Sequence, residues 1–222
     1  MAESITPPDP RYPKGSPVSL FFFLTDGDDI ESKFLIHYAP FLQDGFQGGG
    51  IALSFHPVEY KIGSRIIYTS AAPCAHDYIW EGSAKGRVCF DQVAEEMKRK
   101  EISHVIVLLE ESELQDIYDG KLKYLYRSYG FTVHSYPIPD RGIPTSIKSF
   151  SDFQAKLVDL TETARVLVHC YAGLGRTEMV VAGLFVTLGN DAEKAIQMVR
   201  VKNSGSVETR QQEKFLKDYA LR

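Results

Sequence analysis

A chain of 222 residues, 44% apolar and 24% charged, has the composition of one globular domain with a core large enough to fold alone, which excludes disordered and fibrous classes. Its net charge of −4 offers no general attraction to nucleic acid or to an anionic membrane, and no apolar window approaches the roughly 18 residues of a spanning helix. Three cysteines are too few for a disulfide framework, so a reducing, cytoplasmic setting is the expectation.

Residues 1–17 open with Met1-Ala-Glu-Ser-Ile-Thr-Pro-Pro-Asp-Pro and read as a flexible arm, without the basic stretch of a secretory signal. Residues 18–63 read as an extension packed on the core, with a strand over 18–24 and a short helix over 30–42. Gly48, Gly49 and Gly50 then break the chain before an apolar run at 51–55. No lysine or serine follows them as in a nucleotide-binding loop, so they read as an ordinary loop.

From residue 64 to 222 the pattern changes to that of one α/β domain. Short β-branched runs at 65–70, 104–109, 130–134 and 166–169 alternate with helical stretches at 90–100, 114–129 and 147–163. This predicts an α/β fold with a central mixed, mostly parallel twisted sheet and helices on both faces. After 176 the spacing predicts helices over 177–188, 192–201 and 209–221, punctuated by Asn190-Asp191 and Gly205-Ser206. Ligands of such sheets gather beyond the carboxyl ends of the strands, where both Cys170 and Asp140 would fall.

The chemistry concentrates where the run 166–169 ends, in His169-Cys170-Tyr171-Ala172-Gly173-Leu174-Gly175-Arg176-Thr177. Glycine at 173 and 175 lets the backbone N–H groups of residues 171–176 converge on one point. The positive end of the following helix points there too. The planar fork of Arg176 can take two oxygens of one phosphate. The same field favours a negative sulfur, so Cys170 reads as the nucleophile and residues 171–176 as its anion clamp. Thr177 can donate its hydroxyl to the sulfur as it departs. Thirty residues upstream, Pro137-Ile-Pro139-Asp140-Arg141-Gly142-Ile-Pro144 sets an aspartate between rigid prolines and beside one permissive joint, as a general acid on a lid would be.

These residues carry a resemblance. His169-Cys170-x5-Arg176-Thr177 with an aspartate loop upstream is similar to the signature of the cysteine-dependent protein tyrosine and dual-specificity phosphatases. Over about residues 64–220 the acid loop, the signature and Gly205-Ser-Val-Glu208-Thr209 through Gln212 most resemble the cyclin-dependent-kinase-associated phosphatase group. The resemblance implies a protein tyrosine phosphatase-like fold, a cysteinyl-phosphate intermediate, no metal or other cofactor, and a phosphorylated protein as partner and substrate. It also implies that a glutamine of the last helix positions the hydrolytic water; Gln212 matches best, Gln211 less well. No Asn-Arg-Tyr element precedes the acid loop, which favours a shallow site open to phosphotyrosine, phosphoserine and phosphothreonine. The loop also lacks the lysines of relatives that act on inositol lipids. Glu208 stands where that group has glutamine. The competing readings are a phosphopeptide-binding module that turns over poorly, a phosphatase for a non-protein monoester, and a rhodanese-like sulfur carrier that leaves Asp140 without a role.

The remaining polar residues have plainer readings. Glu110, Glu111 and Glu113 form a solvated acidic face at a strand end, and His169 packs and orients the loop. The histidines at 37, 56, 76, 104 and 134 show no metal-ligand spacing. Cys74 and Cys89 could serve as resolving thiols for an oxidised Cys170.

Overall fold

The structure, a computed structural model, describes residues 55, 57–75 and 84–222. The arm, the strand over 18–24, the helix over 30–42 and the glycine run lie outside the described residues. The described elements are β1 (Val58–Ile62), β2 (Arg65–Ser70), α1 (Ala84–Arg99), β3 (Ile102–Val107), α2 (Glu111–Tyr118), α3 (Leu122–Ser128), β4 (Thr132–Ser135), α4 (Ile147–Thr163), β5 (Arg165–His169), α5 (Arg176–Thr187), α6 (Ala192–Lys202) and α7 (Arg210–Ala220). Sheet order is β1-β2-β5-β3-β4, with β1 antiparallel to β2 and every other pairing parallel. The α/β architecture is the one expected.

The central strand explains where the sheet lies. Val166, Leu167 and Val168 of β5 are fully buried, as a parallel strand covered on both faces requires. Side chains alternate along it. Val166, Val168 and Cys170 therefore join the core made with α4, α5, α6 and α7, whereas Leu167 joins the core made with α1, α2 and α3. Cys170 thus leaves the carboxyl end of the strand with its sulfur against the first of these cores.

Three features differ from expectation. The sheet takes in β1, which falls in the stretch assigned to the extension; Gly63, at φ 62°, closes a tight hairpin between β1 and β2 and so draws Tyr60 into the core. The helix expected over 114–129 is two helices, because Asp119 and Gly120 adopt φ of 51° and 70° and the Gly120 N–H bonds back to Leu114 O, ending α2. Cys74 and Cys89 are joined to each other as a disulfide, with Cα atoms 6.2 Å apart, and Cys170 is the free cysteine among the described residues. The role of Cys74 and Cys89 as resolving thiols for Cys170 is corrected accordingly, since each sulfur is already taken by the other.

Candidate active site

Between β5 and α5 the chain turns with its carbonyls outward. Tyr171 O accepts from Ala72 N–H (2.9 Å), Leu174 O from Val207 N–H (3.2 Å) and Gly175 O from Met179 N–H (2.9 Å). Carbonyls facing out leave the amides facing in. The Gly173 N–H reaches Cys170 Sγ at 3.3 Å, and among the described residues the amides of Ala172, Leu174 and Gly175 donate to no backbone carbonyl. Gly173 has φ +74°, and a Cβ there would lie 2.6 Å from the carbonyl carbon and oxygen of Ser70. The tightness of the turn thus rests on glycine at 173, pressed onto the end of β2. Tyr171, Ala172 and Leu174 are half-buried; Gly173, Gly175 and Cys170 are buried.

Arg176 opens α5 with its side chain 2% exposed. Nη1 and Nη2 donate to the two carboxylate oxygens of Glu113 at 2.7 and 2.8 Å, Nη1 also donates to Ile138 O at 3.1 Å, and Nη2 to Asp140 Oδ1 at 3.0 Å. Burial alone would work against this charge; the bonds from Glu113 and the nearby charges of Cys170, Glu113 and Asp140 outweigh it and raise the guanidinium's proton affinity. The forked pairing fixes the plane of the group.

The reading of Glu113 as a solvated residue is therefore corrected. Its carboxylate is held by Arg176 and by the Glu110 N–H (2.9 Å) at the start of α2. Glu111 does face solvent, paired with Lys123. The missed signal was positional: Glu113 follows the carboxyl end of β3, the same sheet edge as Cys170.

The acid loop is seated by bonds that prolong the sheet, Tyr136 N–H to Val107 O and Ile138 N–H to Leu108 O, both 3.0 Å. Asp140 follows with its side chain 55% exposed, close to the pocket through its contact with Arg176. The segment before α7 stitches this loop down. Gln212 is buried, its Nε2 donating to Gly142 O at 3.1 Å and its Oε1 accepting from the Thr209 N–H, while Thr209 Oγ1 donates to Arg141 O at 3.4 Å. A Cβ on Gly175 would lie 3.1 Å from Gln212 Nε2, so this amide does border the loop. Gln211, about 100° further around the helix, is exposed.

Three buried polar groups lie beneath the loop. His169 Nδ1 contacts Cys170 O at 3.2 Å, and burial pushes its imidazole down to about 4, so the ring is neutral at ordinary pH. Thr177 Oγ1 is buried and makes no hydrogen bond, so the expected bond to the sulfur is absent from this structure. Glu178 accepts from Tyr60 Oη (2.7 Å) and Thr69 Oγ1 (2.8 Å), tying the first turn of α5 to β1 and β2; burial pushes its carboxyl up to about 7 against those two bonds. Sequence reasoning overlooked Glu178, a carboxylate two residues after Arg176 at the start of an otherwise apolar helix. Among the described residues no three His, Cys, Asp or Glu side chains are grouped so as to hold a metal ion.

Comparison with known proteins places this geometry. A family model described as cyclin-dependent kinase inhibitor 3 matches residues 83–197. The chain is 33% identical over 128 residues to cyclin-dependent kinase inhibitor 3 of Rattus norvegicus, a match covering 56% of this chain and 60% of that protein. It is 33% identical over 129 residues to the Homo sapiens protein of the same name, with the same two shares. The chain thus spans less than two thirds of the length of these relatives. Among solved structures, it is similar to kinase associated phosphatase carrying a serine in place of its catalytic site cysteine, with TM-score 0.60, 26% identity, and 69% of this chain and 85% of that one covered. It is also similar to Tk-PTP in its active form, with TM-score 0.56, 27% identity, and 74% and 97% covered.

Proposed function

Because this chain belongs to the cyclin-dependent kinase inhibitor 3 family, within the protein tyrosine and dual-specificity phosphatases, we propose that it removes phosphate from proteins through a cysteinyl-phosphate on Cys170. Phosphotyrosine, phosphoserine and phosphothreonine are all substrates in this reading. One observation carries it: the Gly173 N–H aimed at the Cys170 sulfur, with a buried, carboxylate-held Arg176 at the other end of the same loop.

Cys170 attacks phosphorus in line while the inward amides and Arg176 take the equatorial oxygens. Asp140, whose Oδ1 accepts from Arg176 Nη2 at 3.0 Å, lies beside the guanidinium that would hold the phosphate; protonated from solvent before each turnover, it gives the departing oxygen its proton. Water then breaks the cysteinyl-phosphate, with Thr177, whose buried hydroxyl lacks a partner, as a donor for the returning sulfur and Gln212 at the rim of the loop. No cofactor enters the scheme.

The test is hydrolysis of p-nitrophenyl phosphate without added metal. Wild type should turn over and be blocked by vanadate, Cys170→Ser should lose at least about 10⁴-fold, and Asp140→Ala should lose roughly 10²- to 10³-fold while holding phosphoprotein longer. Activity retained by Cys170→Ser would sink the mechanism. Phosphopeptide binding by a wild type that releases no phosphate would make the chain a binding module. The name of the relatives directs the first protein assay to a phosphorylated cyclin-dependent kinase. Cytoplasmic residence belongs to the same proposal, because Cys170 needs reducing surroundings; the Cys74–Cys89 disulfide points the other way, and cell fractionation with thiol trapping decides between them.

A further inference from the structure

Between α6 and α7, Val207 stands at φ 55°, a left-handed conformation that is costly for a β-branched residue and persists only where its surroundings impose it. Two neighbours impose it here. The side chain is buried in the core made with α4, α5, α6 and α7, and Arg200, in the last turn of α6, clamps the backbone. Arg200 Nε donates to Ser206 O at 3.1 Å and Nη2 to Val207 O at 3.2 Å. Glu213, in the first turn of α7, also accepts from Nη2, so three acceptors fix the plane of the guanidinium.

Peptide geometry carries this clamp to the pocket. In a trans peptide group the C=O and the N–H point in opposite directions. Ser206 O faces Arg200, so the Val207 N–H faces away from it and donates to Leu174 O of the signature loop at 3.2 Å. Leu174 O faces Val207 in turn, so the Gly175 N–H points the other way, into the ring of amides. Among the described residues it donates to no backbone carbonyl. Glu208, next in the chain, borders Gly175 as well, with Oε2 3.0 Å from where a Cβ would stand. From Arg200 to Gly175 the donors and acceptors thus run head to tail, a cation at one end and an open donor at the other. Each bond in such a chain polarises the next.

We propose that Arg200 is a positioning residue of the pocket: through these two peptide groups its guanidinium aims and strengthens the Gly175 N–H that holds an equatorial oxygen of the phosphate. The inference deepens the phosphatase reading above and rests on it. Arg176 meets the oxyanion itself, whereas Arg200 never touches it and acts by orientation. The amides of the loop divide accordingly. The Gly173 N–H is aimed at the Cys170 sulfur and is set by the end of β2, while the Gly175 N–H is steered from α6. Arg200 therefore governs the anion and leaves the thiolate to Gly173. The side chains of Arg200 and Glu213 are 30% and 33% exposed, so their pairing adds little to stability.

The test is Arg200→Met, read by p-nitrophenyl phosphate kinetics, by calorimetric binding of tungstate, and by the rate at which iodoacetamide alkylates Cys170. Outright loss of an oxyanion donor costs roughly 10²- to 10³-fold, and an amide kept but misaimed costs less, so kcat/KM should fall about 30-fold and the tungstate dissociation constant rise about 10-fold. Alkylation at neutral pH, which needs the thiolate but no oxyanion, should stay within about twofold of wild type. Arg200→Lys keeps the charge but lacks the fork that serves three acceptors; it should lose nearly as much, and it stands in should the Met variant fail to fold. Wild-type kcat/KM and tungstate binding in either variant overturn the proposal. So does alkylation that slows in step with tungstate binding, since that marks a loop come apart. A wild type that hydrolyses nothing overturns the phosphatase reading, and shows before any variant is compared.

Discussion

From Cys170 to Arg176 each residue is a chain neighbour of the next, and the turn is shaped close at hand by the left-handed Gly173 and the end of β2. The carboxylates opposite come from three separate places: Glu113 after β3, Asp140 after β4 and Glu208 before α7. One side of the pocket is a local structure that needs its neighbours only for support. The other exists solely because the fold brings distant segments to one sheet edge, and Arg176 is the joint between them. Loss of Glu113, which takes both arms of the Arg176 fork, should therefore cost stability and activity together, whereas changes within the loop should fall on activity.

The largest effect tests the joint. Glu113→Gln removes the charge that faces a guanidinium 2% exposed, and breaking such a buried pair costs about 4 kcal/mol. Thermal unfolding should drop by roughly 10 °C, with kcat/KM falling alongside. An unchanged melting temperature would mean that Asp140 and Ile138 O suffice to hold Arg176.

Next come the two titrating groups beneath the loop, whose effects oppose each other. The Glu178 carboxyl is raised from 4.5 to about 7, so the folded state binds its proton more tightly; its contribution is complete below pH 4.5 and lost as pH rises through about 7. The His169 imidazole is lowered from 6.5 to about 4, so its contribution is complete above pH 6.5 and lost as pH falls through about 4. Each spans about 3 kcal/mol, and in their shared window the slopes offset. Urea titrations across pH should show Glu178→Gln losing stability on acidification from 6.5 to 4, and His169→Asn losing it on alkalinisation from 4.5 to 7. Variant curves parallel to wild type would dispose of both assignments.

The smallest effect lies within the loop. Gly173→Ala puts a Cβ 2.6 Å from Ser70 at φ +74°, so the turn must shift and its amide leaves the sulfur. We expect kcat/KM to fall about 10²-fold, roughly 2.7 kcal/mol, with the melting temperature within a few degrees of wild type. Full activity would show that the amide at 173 is dispensable.

Much of the fold was legible before any coordinates. β2 and α4 run over the stretches predicted for them, and β5 differs by one residue, because strand and helix periods are written into consecutive side chains. The signature loop was legible for the same reason: glycine, cysteine and arginine act on one another across six residues. The sequence alone determined that a cysteine, a cradle of amides and a guanidinium would share one turn. What tertiary structure decided is everything whose partner lies far along the chain. Glu113 looks like one more surface acid until Arg176, 63 residues away, is folded against it. Gln211 and Gln212 look alike until a helix turns one outward and buries the other. Cys74 and Cys89 look like reserves for Cys170 until the end of β2 and the start of α1 bring them together. Local pattern records what a residue does to its neighbours, whereas a pairing energy depends on distance through space, which only the folded chain defines.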